Sequence, residues 1–242
     1  MRIRAAMEYN DVGVLLWLLD YPGAAARGAS LEEAKGKAGA EAASWSRWAE
    51  GTVFPAPKEG AFDVDVTEWK QSRLLVADAD SDMIFEAEKK PFLPGEYRRL
   101  KELTLRSARD FLRLYESIPE KDRPLSPQRE SFYGPVPRTA RQMYDHTNGV
   151  TAYYLGEVGV ETQNLPDIWE GRRVALEQLE EQPELWKNPV FVGSYDEQWS
   201  PKKVLRRFLW HDRIHAKAMF RRARAVWGDA IDDPFCFLRT AF

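Results

Sequence analysis

Between residues 89 and 95 the spacing of the apolar side chains changes, and this switch constrains the fold more than any other feature of the chain. Before the segment Lys89-Lys90-Pro91-Phe92-Leu93-Pro94-Gly95 the apolar residues alternate or run in short blocks; after it they recur every three to four positions. A period of two suits a strand with one buried face, and a period of 3.6 suits a helix. Two prolines and a glycine at the switch remove backbone donors and favour a break in regular structure. The expected organisation is α+β: residues 1–90 as a small antiparallel sheet with one helix, then residues 94–242 as an up-down four-helix bundle.

Within the first unit, Ile3 to Tyr9 and Val12 to Leu19 are rich in strand formers, and Asn10 and Asp11 between them suit a hairpin turn. Tyr21, Pro22 and Gly23 end that pattern. Ser30 followed by Glu33 has capping-box spacing, and Leu31, Ala34, Ala38, Ala42, Trp45 and Trp48 continue at helical intervals until Gly51. Phe62, Val64 and Val66 alternate with polar residues, as do parts of Leu74 to Ala79 and Met83 to Ala87, so further strands are expected after the helix.

In the second unit, Leu100, Leu103, Leu105, Ala108, Phe111, Leu112 and Tyr115 predict a helix over Glu96 to Ser117. A proline-rich loop follows, from Ile118 to Pro137. Thr139 with Gln142 three positions on marks the start of a second helix, expected to reach about Glu157 before Gly159. A third is expected from Pro166 to Glu181. Ser200 and Pro201 supply an N-cap and a first-turn proline for a fourth, which should run to Trp227 and stop at Gly228.

Two of the three histidines, His211 and His215, lie four apart on this last helix, so their rings project from one face about one turn apart. Val204, Phe208, Ala218 and Met219 share that face, which places the rings inside. His146 lies on the second helix on the apolar stripe of Met143, Val150 and Tyr153. A lone histidine on such a stripe is more often a hydrogen-bonded core residue. Three inward imidazoles from two facing helices, however, find a common partner in one divalent cation. Three protein nitrogens leave a coordination position for water or substrate, as catalytic zinc sites do. No glutamate follows His211, so this is not the metalloprotease motif. Asp212 and Asp145 point about 100° away from their neighbouring histidines and are not expected to ligate.

The stretch Thr139-Ala-Arg-Gln-Met-Tyr-Asp-His146, taken with Trp210-His-Asp-Arg-Ile-His215, resembles the DinB/YfiT-like superfamily of metal-dependent enzymes over roughly residues 94 to 235. The resemblance implies a four-helix bundle in which His146, His211 and His215 bind nickel or zinc. It also implies a hydrolase, or a transferase or isomerase that uses a low-molecular-weight thiol. The glutamine that often follows the last histidine in relatives is absent here, where Ala216-Lys217-Ala218-Met219 follows, so the resemblance does not carry that residue's role over. The N-terminal unit is similar to the small HicB-like fold through Asp20-Tyr-Pro-Gly23, Gly28 and Ser30-Leu-Glu-Glu-Ala34. The same residues also read simply as a turn and a helix cap, and a toxin-binding antitoxin is not implied.

The sequence lacks the serine-nucleophile elbow, the phosphate-binding loop and the dinucleotide fingerprint, so serine-hydrolase, nucleotide and dinucleotide readings have no support in it. A net charge of −3 does not favour nucleic acid. The longest apolar run, Val12 to Leu19, is far short of a bilayer span, and no signal peptide is read. Cys236, the single cysteine, permits no internal disulfide and fits the cytoplasm; between Phe235 and Phe237 it reads as a small hydrophobe. The expected function is a metal-dependent enzyme acting on a small molecule, and a homodimer is compatible with it. The competing class is a binding module in which the metal only ties helices together. Glu130, Tyr144, Asp145 and Asp212 are the candidate acids or bases. Trp169, Trp186, Trp199, Trp210 and Trp227 are expected mainly in packing, with pocket lining as the alternative.

Overall fold

Asn10 and Asp11 do form a hairpin turn. Strand β1 (Arg2–Asn10) runs antiparallel to β2 (Gly13–Leu18) with Asn10 opposite Gly13, and the Asn10 side chain accepts the Val12 N–H at 3.1 Å. The computed structural model describes residues 2–52, 63–131 and 134–238, so Phe62 lies outside the described residues. Strand β3 (Ala25–Gly28) adds antiparallel to β2, and β4 (Asp63–Gln71) adds to the other side of β1, giving the order β3-β2-β1-β4.

The sheet is mixed and not purely antiparallel, because β4 is parallel to β1. The connection between β3 and β4 carries helix α1 (Leu31–Ala49), and a helix-bearing crossover can bring the chain back to the end of the sheet where β1 began. Alternation along a strand says which side chains face inward but carries nothing about the direction of its neighbour. Ser30 caps α1 as expected, accepting the Glu33 N–H at 3.2 Å, while the Glu33 carboxylate reaches back to the Ala29 N–H at 2.8 Å.

Both sheet faces are covered. On one side Ile3, Ala5 and Leu16 pack under Ala34, Ala38, Ala42 and Trp45 of α1. On the other, Ala6, Leu15 and Trp17 meet Val76, Met83, Phe85 and Trp210. Every residue of β2 is therefore buried, which accounts for its unbroken apolar run. The segments at Leu74 to Ala79 and Met83 to Ala87 are not strands. They form 3₁₀ turns at Val76–Asp78 and Glu86–Lys89, and the first ends at Ala79 in the left-handed region (φ 68°). Their apolar residues lie over a sheet face instead of extending an edge. The segment is fixed by a buried ion pair between Glu88 and Arg206 (2.6 Å).

The remaining described chain is mainly helical, with two short antiparallel pairs, Glu130–Ser131 with Gly134–Pro135 and Phe191–Val192 with Gln198–Trp199. Helix α2 (Glu96–Ser117) packs against α5 (Ile168–Glu180) and α6 (Pro201–Trp227). The expected second helix is split into α3 (Ala140–Asn148) and α4 (Thr151–Gly156). The split has a local cause. Asn148 turns its amide to the Leu165 carbonyl (2.6 Å), and Asn164 binds both the Gly149 carbonyl and the Ala152 N–H, so side chains take over the backbone groups at the joint.

Helix α6 is the spine of the molecule. Ser200 caps it, Pro201 opens it, and α3 and α4 pack against it. Gly23 permits the turn between β2 and β3 to sit directly on it: its φ is 81°, and a Cβ there would lie 2.6–2.7 Å from the Leu209 Cβ and carbonyl carbon and the Trp210 nitrogen. One core runs from the sheet and α1 into the helices, with Trp48 stacked on Phe235 (5.7 Å) and bonded to Asp110 on α2 (2.7 Å). Among the described residues no helix is long and apolar enough to cross a membrane.

Candidate metal centre

The three histidines meet where α3 crosses α6. Thr139 and Gln142 form the capping box that starts α3, with the Thr139 hydroxyl accepting the Gln142 N–H at 3.1 Å, and His146 follows in the last turn of that helix. His211 and His215 extend the buried stripe of Val204 and Phe208 toward Met219 on α6. Ring centroids are 4.4 Å apart for His211 and His215, 4.6 Å for His146 and His215, and 5.1 Å for His146 and His211.

One nitrogen from each ring lies within 4.8 Å of the other two, the only such ligand group among the described residues. Metal–nitrogen bonds of about 2.0–2.1 Å in a tetrahedron put ligand nitrogens about 3.3 Å apart, so small side-chain rotations would close the rings on an ion. His211 is 6% exposed, and its Nδ1 is buried with no hydrogen-bond partner. A buried polar atom left so is costly, and a cation would satisfy it. The donor set fits a nitrogen-loving divalent metal.

Electrostatics hold the rings in the form that binds metal. Burial lowers the pKa of all three. His211 falls well below 6.5, helped by His215 and His146, and His215 is pushed down to about 3, helped by His146, Arg222 and Arg27. All three are thus neutral at pH 7, with lone pairs available. Around them the walls are aromatic: Tyr154 stands edge-on to His211 (6.1 Å), and Trp199 packs behind Tyr154 (5.3 Å). Arg207 is sandwiched among Tyr154, Trp199 and Trp210.

The candidate acids and bases fare differently. Asp212 is completely buried but turns to Arg172 on α5 (3.3 Å), whose guanidinium lies 3.6 Å from the Phe208 ring centroid. Tyr144 donates to the Pro166 carbonyl (3.0 Å) and accepts from the Ile168 N–H (2.9 Å), which ties α3 to the start of α5. Asp145 and Glu130 are exposed. The structure therefore brings the three histidines together, while the bonds of Asp212 and Tyr144 described above go to Arg172, Pro166 and Ile168. Of the tryptophans, Trp199 and Trp210 are buried, Trp169 and Trp227 lie under Arg109 and Arg123, and Trp186 is exposed against Tyr97. Burial raises the Cys236 thiol pKa, which suits packing and not attack.

Sequence reasoning missed the basic groups beside the centre, chiefly Arg27 and Arg222. A signal was present in the four-residue spacing of Arg213, Lys217 and Arg221, which lays a basic stripe along α6 next to His215. Comparison of the chain with protein-family models, curated proteins and solved structures finds no match.

Proposed function

We propose that His146, His211 and His215 hold one divalent transition-metal ion, nickel or zinc, and that the protein is a metal-dependent enzyme of the DinB/YfiT-like kind. On this reading α2, α3 with α4, α5 and α6 are the four members of the bundle, and the sheet with α1 is a HicB-like addition. The observation that carries the proposal is the convergence of three ring nitrogens, one on a buried ring whose Nδ1 has no other partner.

When bound, the ion would supply a Lewis acid that lowers the pKa of a water or of a low-molecular-weight thiol, the two nucleophiles of hydrolase and thiol-transferase chemistry. The protein's part is preparatory. Burial keeps the imidazoles deprotonated, the rigid crossing of α3 and α6 holds their spacing, and Tyr154 and Trp199 keep water from one side. Both ring nitrogens of a neutral imidazole cannot donate at once, so the ligand nitrogen is the one left without its proton.

Elemental analysis of untagged protein should find about one nickel or zinc per chain. His215→Ala should lose it, and retention of the wild-type content in that variant would refute a shared site. In a cobalt-loaded sample, a sulfur-to-metal charge-transfer band on adding 2-mercaptoethanol would select the thiol reading. Turnover of ester or amide substrates without thiol would select the hydrolase.

A further inference from the structure

On the flank of the histidine centre a cleft of about 950 Å³ separates β3 and α1 from α6. Its size suits a small molecule rather than a helix or a strand. Seven basic side chains line it against one carboxylate, Glu41, among the described residues, although the whole chain carries a net charge of −3. Glu41 is already shared: it accepts from Arg213 at 2.6 Å and from Lys217. Glu33 outside the cleft serves Lys37 (2.6 Å), and Asp78 lies 3.8 Å from Arg129, which still leaves the basic groups in excess. Arg27 and Arg222 also bond the Ala77 and Pro137 carbonyls, which helps to place them.

Such an excess of positive charge around a concave surface attracts a negative ligand. Arg27 is exposed at the cleft, with Arg129 alongside. Gly36 and Ala40 on α1 and Ala218 on α6 line the cleft, and a Cβ at Gly36 would meet nothing within 4 Å, so no side chain fills the space there. The cleft also adjoins the histidines. Ile214 and Ala218, which line it, bracket His215 on α6, and Arg27 and Arg222 are near enough for their charge to act on that ring.

We propose that this cleft binds a small dianion bearing carboxylate or phosphate groups, and that the dianion is the charged part of the substrate presented to the histidine centre. The second clause rests on the function proposed above; the anion site does not. Paired guanidinium groups on opposite walls suit a ligand with two charged ends, and the concave shape favours a small molecule over a polymer.

Titration calorimetry of the full chain at low ionic strength, with succinate and inorganic phosphate as probes and uncharged succinamide as control, tests the site. Both dianions should bind saturably and succinamide should not. Arg27→Gln with Arg222→Gln should weaken binding roughly tenfold or more. Gly36→Leu, which keeps every charge and favours the helix, should also weaken it by narrowing the mouth; circular dichroism establishes that both variants are folded. Absence of saturable binding to the wild type, or binding unchanged in both variants, would overturn the proposal. So would tighter binding of a single-stranded oligonucleotide that grows with its length.

His215→Ala should bind the dianions within about twofold of wild type while losing metal, so the two readings fail separately. For the substrate clause, cobalt-loaded protein should show its thiol band at roughly tenfold lower mercaptosuccinate than 2-mercaptoethanol, and the preference should vanish in the double arginine variant. Equal response to the two thiols would overturn that clause. If neither thiol gives a band, the thiol chemistry falls and the succinate titration still judges the cleft.

Discussion

Lowering the pH from 7.5 to 5.5 should destabilise the metal-free protein through His211 and His215. In the fold both rings stay neutral, because burial pushes His211 well below 6.5 and His215 to about 3. In the unfolded chain each titrates near about 6.5. The folded values are the lower ones, so the unfolded state takes up protons first; stability is complete above the unfolded pKa and is lost as pH falls through it. One unit below that pKa an unfolded histidine is about ten to one protonated while the folded one is not, a loss of about 1.4 kcal/mol each and about 3 kcal/mol for the pair. His146 adds to the loss with the same sign.

The assay is urea unfolding of metal-free wild type and of the His211→Asn, His215→Asn double variant at both pH values. Carboxylates that titrate in this range act on both proteins alike, so the difference between their pH dependences isolates the two rings. Wild type should lose about 3 kcal/mol more than the variant over the interval. Equal losses would show that the rings are not held neutral in the fold, and the case for a ready metal site would fall with that result.

Two further substitutions probe the elements that position the centre. Asp212→Ala leaves the fully buried Arg172 without its carboxylate and should cost about 3–5 kcal/mol, whereas Arg172→Met with Asp212→Leu should recover most of that; an additive double-mutant cycle would show that the pair does not act together. Gly23→Ala forces a Cβ to within 2.6 Å of Leu209 at a positive φ. It should cost about 2 kcal/mol or more by the same urea assay, and an unchanged midpoint would mean that this turn is not seated on α6.

Local signals carried much of the fold. Ser30, Thr139 and Ser200 each cap a helix where their spacing indicated, because a cap is a bond between a side chain and a backbone group three residues away. The hairpin at Asn10 and the stop at Gly228 were legible for the same reason. The inward face of His211 was legible too, since Val204, Phe208 and Met219 fix which side of α6 is buried. Where a local rule met a distant partner, reading along the chain failed. Met83 and Phe85 have the alternation of a strand, yet they lie over a sheet face beside Glu88, whose partner Arg206 is 118 positions away. The joint at Gly149 depends on Asn164, which reaches back from another loop.

The sequence by itself determined the α+β character, the helix starts, and the three histidines that share an apolar environment, because these follow from periodicity and from bonds spanning a few residues. Only the tertiary structure decided that β4 joins β1 in parallel, that most of α6 from Pro201 to Arg213 is enclosed with Lys203, Arg206 and Arg213 paired to Glu197, Glu88 and Glu41 and with its Asp212 paired to Arg172 of α5, and that Arg27 and Arg222 line the same cleft. Charged residues on a helix read as a solvated face until a partner is supplied. That partner comes from an element remote in sequence, and its placement is settled by the burial of the whole core and by the need to pair each charge taken out of water.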